Sequence, residues 1–235
     1  MTATPTAWQR PVVAAIATTA LVTALSYGVP AEHAASAVGL AFLGATWLGA
    51  LGGDDPDDAR RHGLSLGGLL DPEPIDIARW LRSAATELAL ALALGAAVFG
   101  PFWAGYLLWW NPHQAFHPAP LPGVAEGALG ELVVIALPEE AFYRGYLQTR
   151  LDLAWPPGFT LLGARLGPGV LVTSAIFAMG HLATDPNPAR LAVFFPSLLF
   201  GWLRARRGGV GAAAAFHALC NLFASYLARS YGLSP

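Results

Sequence analysis

The stretch Pro138-Glu139-Glu140-Ala141-Phe142-Tyr143-Arg144 places two adjacent carboxylates and an arginine inside a run otherwise apolar enough to cross a membrane. An ionisable side chain at the centre of a bilayer costs at least ~2.5 kcal/mol, so such a cluster marks a functional site by default. On a helix, Glu140 and Arg144 are four residues apart, share a face and can neutralise each other. Glu139 lies roughly 100° around the helix from Glu140 and is free to point elsewhere. Pro138 has no amide hydrogen for the Val134 carbonyl, which loosens the helix just before the acids. The whole fold follows from reading this segment as membrane-embedded rather than as a solvated helix end.

Composition agrees. Of 235 residues, 55% are hydrophobic and only 12% charged, and the mean hydropathy is +0.49. These values describe an integral membrane protein rather than a soluble domain. Alternating strands of about ten residues are missing from the pattern, which argues against a transmembrane barrel. A net charge of -2 gives no footprint for nucleic acid. All 13 basic residues are arginine, and with the excess of Ala, Gly and Pro this suggests a GC-rich bacterial genome. The single cysteine, Cys220, rules out an intramolecular disulfide and a cysteine-based zinc site, and its apolar run favours an unreactive thiol.

Apolar runs of sufficient length predict an all-α, polytopic helix bundle of about seven spans. They cover roughly 12–28, 35–51, 84–110, 126–151, 168–183, 189–203 and 209–231. The first also reads as a possible signal peptide, because small residues follow at Ala34-Ala35-Ser36-Ala37, but the next apolar run begins at once. Between the second and third spans, 54–76 is a polar loop whose Asp54, Asp55, Asp57 and Asp58 read as solvated; Ile77–Ser83, with Trp80, reads as interfacial. Residues 111–125 form a Pro-rich loop with His113 and His117. We divide the chain into N-terminal membrane helices with the polar loop, 1–125, and a catalytic membrane core, 126–235, within one integrated domain.

Arginine placement orients these spans. With the N-terminus inside, one side holds Arg10, Arg60, Arg61, Arg79, Arg82, Arg150, Arg165, Arg204, Arg206 and Arg207, and the other only Arg190 and Arg229. The positive-inside rule asks for this asymmetry and predicts a cytoplasmic N-terminus and an external C-terminus in a bacterial inner membrane. Depth is informative too. Glu139 lies eleven residues from Arg150, His181 thirteen from Pro168, and His217 and Asn221 ten and fourteen from Arg207. At ~1.5 Å per residue, spans four, five and seven bring these groups to one level, about 15–21 Å from the inner face.

A glutamate and a histidine at that depth suit activation of a water molecule, since a carboxylate out of water is a stronger base than one in it. A second histidine and an asparagine one turn on supply donors for a developing oxyanion. Other hydrolytic signals are weaker. No His-Glu-x-x-His is present, and Gly63-Leu-Ser65-Leu-Gly67 lies in the polar loop without the strand-to-helix context of a nucleophile elbow. Ser174 reads as a packing hydroxyl.

At these residues the sequence resembles the CPBP family of intramembrane proteases, which includes the CAAX endopeptidases. The motifs stand as Glu139-Glu140-Ala-Phe-Tyr-Arg144, Phe177-Ala-Met-Gly-His181 and His217-Ala-Leu-Cys-Asn221, intact and in order. The resemblance implies that Glu139 is the general base, His181 its partner in holding the water, and His217 and Asn221 the oxyanion stabilisers, with Glu140 and Arg144 holding them in place. It implies an endopeptidase acting on membrane-anchored proteins near a C-terminal segment, by CAAX-type or sorting-signal processing as in the myxosortase branch. A metal-free glutamic mechanism is expected; the zinc alternative would use Glu139, His181 and His217. The partners are then the protein substrate and the lipid bilayer. A catalytically silent scaffold or bacteriocin-immunity protein and a proton-coupled transporter are the competing classes.

Overall fold

A computed structural model of the chain describes residues 7–120 and 124–233. The chain is mostly helical, and helical stretches overlap the predicted apolar runs. Helix α1 is Gln9–Gly28 and α2 is Ala31–Leu51, its last turn π-helical. Helix α3 runs unbroken over Ile77–Trp110, so the interfacial segment predicted before it is its first two turns. Helix α4 covers residues 124–154, α5 is Pro168–Thr184, α6 is Phe194–Arg207 after a 3-10 turn at Pro188–Val193, and α7 is Gly211–Ser230. Four of these, α1, α2, α3 and α7, are long and apolar enough to cross a membrane. The rest is shorter or interrupted by polar groups.

One correction to an all-α reading is a small antiparallel hairpin, β1 (Phe159–Leu161) and β2 (Ala164–Leu166), in the connection between α4 and α5. Leu162 and Gly163 both have positive φ, as a two-residue turn matched to strand twist requires. Trp202 Nε1 donates to the Leu161 carbonyl and ties the hairpin to α6.

Helix α4 is not a regular α-helix. Residues Glu131–Ala136 and Ala141–Gln148 are π-helical, and between them the acids sit on a single α-turn, Leu137–Glu140. The proline-loosened ladder expected from the sequence thus takes the form of π-turns, which concentrate at functional sites. Gly39 of α2 lies against this irregular segment. A Cβ there would stand 2.5 Å from the Val134 carbonyl oxygen, so only glycine permits the approach.

The core lies in the half of the bundle beyond the acids, where Phe142, Leu147, Leu151, Phe177, Phe200, Leu203 and Phe216 are fully enclosed. Helix α3 backs α7 through Phe99 stacked on Phe223 at 4.4 Å and a Trp103 Nε1 to Tyr231 hydroxyl bond of 3.0 Å. The polar loop docks on the end of the bundle: the Val210 amide donates to the Gly63 carbonyl, and Leu64 fills the space left by Gly145. Of its aspartate cluster, Asp57 pairs with Arg60, and Asp55 and Asp58 pair with Arg61.

Candidate active site

The α-turn between the two π-segments aims its neighbouring acids in different directions. Glu140 is fully buried, as is Arg144, and their charges meet at 3.1 Å. The same Glu140 oxygen, Oε1, accepts a hydrogen bond from His217 Nδ1 at 2.9 Å. Arg144 Nη2 donates to the carbonyl and hydroxyl of Ser197 on α6, at 3.1 and 2.6 Å. One carboxylate therefore ties α4 to α7, and one guanidinium ties α4 to α6. Extra bonds of this kind offset the cost of burying an ion pair, although Glu140 Oε2 and Arg144 Nε and Nη1 have no hydrogen-bond partner among the described residues.

Aromatic rings complete this arrangement. The Arg144 guanidinium lies 4.7 Å from the Phe177 ring centre and 5.1 Å from that of Phe200, and Phe200 stacks on His217 at 4.7 Å. Phe177 also touches the His181 ring, with centroids 4.4 Å apart. The phenylalanine four residues before His181 is thus a wall shared by both histidines and the arginine.

Glu139 faces a cavity of about 370 Å³ whose walls include His181, His217 and Asn221. One of its oxygens, Oε2, is buried with no hydrogen-bond partner. His181 Nδ1 stands 3.0 Å from the Phe177 carbonyl oxygen, which can only accept, so this nitrogen carries the hydrogen. In the neutral ring Nε2 then has the free lone pair. For His217 the Glu140 carboxylate fixes the tautomer in the same way.

Two features were missed by sequence reasoning. Asn221 does not present a free amide: its Nδ2 donates to Glu131 Oε2 at 3.0 Å, and Glu131 lines the same cavity. Glu131 reads from sequence as a charge near a helix start, and no local signal joins it to a residue 90 positions away. The opposite wall comes from α1 and α2 through Thr19, Val22, Ser26, Val38 and Phe42. A row of hydroxyls spaced along α1 was the available signal. Ser65, Ser174 and Cys220 do not line the cavity.

The zinc alternative requires Glu139, His181 and His217 to converge on one point. Among the described residues no three His, Cys, Asp or Glu side chains are grouped to hold a metal ion, and His217 Nδ1 is engaged by Glu140.

Residues 123–223 match the family model described as type II CAAX prenyl endopeptidase Rce1-like. This part of the chain is similar to the CAAX protease family. The match encloses all three motifs, from Glu139 to Asn221, and ends within α7. It leaves out α1, α2 and α3, although α1 and α2 supply one wall of the cavity. No curated protein and no solved structure matches the chain.

Proposed function

We propose that this protein is an intramembrane endopeptidase of the glutamic type. It would cleave membrane-anchored proteins near a C-terminal segment, as in sorting-signal or CAAX-type processing. The observation that carries the reading is that the four motif side chains Glu139, His181, His217 and Asn221 line one cavity. Similarity to a family of endopeptidases supports it.

The chemistry follows from the hydrogen bonds. A water held between the Glu139 carboxylate and His181 Nε2 meets two acceptors, one of which takes its proton as the oxygen attacks the scissile carbonyl. The peptide carbonyl becomes an oxyanion and needs donors. Asn221 keeps its second amide hydrogen after bonding Glu131 and can donate it, while Glu140 fixes the orientation of the His217 ring at the cavity wall. Proton return to the departing amine from Glu139 completes hydrolysis. His181, His217 and Asn221 are each held by a hydrogen bond before substrate arrives, which limits the rearrangement that opposes the reaction.

The test is cleavage in liposomes of a panel of membrane-anchored C-terminal tails, including a farnesylated CAAX peptide. It compares wild type, Glu139→Gln and His181→Ala, each with and without a chelator. General acid–base groups contribute ~10²–10⁴-fold, so each substitution is expected to lower kcat by about that factor. Cleavage is expected to survive the chelator, and chelator-sensitive cleavage would restore the zinc mechanism. A well-folded wild type that cuts no tail would move the assignment to a scaffold or transporter.

A further inference from the structure

The bundle has two distinct ends. At one, Arg150 Nη2 donates to the Gly49 carbonyl, Trp8 stacks on Trp155, and Arg204 reaches Thr149. At the other, the Tyr27 hydroxyl meets the Ala183 carbonyl, Trp103 bonds Tyr231, and the His117 amide bonds the Ser230 carbonyl. Every helix runs from one end to the other. Of the 13 arginines, ten belong to the first end, two to the second, and Arg144 lies between.

The cavity is open towards the second end. Its outermost lining residues, Ser26, Thr184, Arg190 and Ser225, all come from the ends of helices or connections that lie there, and Arg190 and Ser225 are exposed. Towards the first end it is closed. Phe142, Leu147 and Leu151 follow the acids along α4, and Phe177 and Phe216 precede the histidines; all are at most 1% exposed. Among the described residues, the opening to Glu139 therefore lies on the arginine-poor side.

Positive charge in short loops marks the cytoplasmic face of a membrane protein. We infer that the cavity opens to the extracytoplasmic face, so that its substrate is the membrane-anchored segment of an exported protein, cut after it has crossed the membrane. The inference rests on the endopeptidase reading for the word substrate, but the direction of opening stands on geometry and arginine placement alone. It sets the class of substrate apart from a cytoplasmic prenylated tail. Arg190, paired with Asp185 at 3.4 Å, is the lone cation at this mouth among the described residues.

The test uses the full-length chain in sealed right-side-out and inverted membrane vesicles. In a Cys220→Ser background, Ser225→Cys probes the mouth and Arg206→Cys the opposite end. A membrane-impermeant maleimide is expected to label Ser225→Cys in right-side-out vesicles only and Arg206→Cys in inverted vesicles only. The reverse pattern overturns the inference. In parallel, a membrane-anchored tail peptide is added outside each preparation, with Glu139→Gln as the blank. Cleavage is expected in right-side-out vesicles, and in inverted ones only after permeabilisation; cleavage by intact inverted vesicles alone overturns it. If permeabilised vesicles of both kinds leave the peptide intact, the endopeptidase reading fails while the labelling still decides the direction of opening.

Discussion

Glu139 and Glu140 differ in what the fold asks of them. Glu139 lines the cavity, whereas Glu140 balances Arg144 and orients His217 through its Oε1. Glu139→Gln should therefore fold like the wild type while losing cleavage. Glu140→Gln should destabilise, because it leaves the Arg144 charge uncompensated; breaking a buried pair typically costs about 3–5 kcal/mol. Thermal unfolding in detergent micelles checks this, and adding Arg144→Leu should recover part of the loss. The pairing of Glu140 with Arg144 was legible in the sequence because both lie on one helix, four residues apart. The bonds from Glu140 to His217 and from Asn221 to Glu131 were not legible, since they join helices 77 and 90 residues apart in the chain. Motif spacing gives the side chains' depth, but not which donor each one spends on a neighbour.

Among the elements, the long apolar helices were readable from their runs, while the irregular ones carry the site. Pro138 announced a weakened ladder in α4, but the two flanking π-segments depend on packing with α2 and α7. Gly39→Ala tests that dependence: its methyl group would strike the Val134 carbonyl, forcing α2 away from the turn that holds Glu139. Lower thermal stability and a reduced kcat are expected together, and unchanged values of both would show that the close approach is not needed. The polar loop offers a second test through pH. His62 is buried at the loop's docking surface, its Nδ1 donating to the Asp58 carbonyl while Nε2 has no partner. Burial pushes its pKa below the ordinary value near 6.5. The unfolded chain then binds the proton more readily than the folded one, so stability falls as pH drops below about 6.5 towards the folded pKa. Asp71, held low by its bonds to Ser65 and Arg60, loses its stabilising effect only at more acid pH. A Tm that declines between about pH 6.5 and 5 in the wild type, and declines less in His62→Gln, is the expected result.

At the scale of the molecule, the family match and the cavity disagree about where the functional unit ends. The match begins at residue 123, but Thr19, Val22 and Ser26 of α1 and Val38 and Phe42 of α2 form one wall of the space into which Glu139 points. Phe42 also packs on Phe142 and Tyr143, with ring centres 5.5 Å from each, so α2 shapes the turn just after the acids. Helix α3 supports the other side through α7, where the Glu87 carboxylate lies against Gly211 at the helix start. A negative group at a helix N-terminus favours that helix end, and α7 carries His217 and Asn221. The three motifs therefore supply only part of the cavity wall. A fragment of residues 126–235 should lack cleavage activity even when it inserts into a membrane, because its cavity would be open to lipid along α1 and α2. Membrane helices inserted separately can still associate through their packing faces. Coexpression with a fragment of residues 1–125 should accordingly restore activity against the same tail peptide. Activity from the C-terminal fragment alone would show that the wall from α1 and α2 is dispensable, and would return the functional unit to the span of the family match.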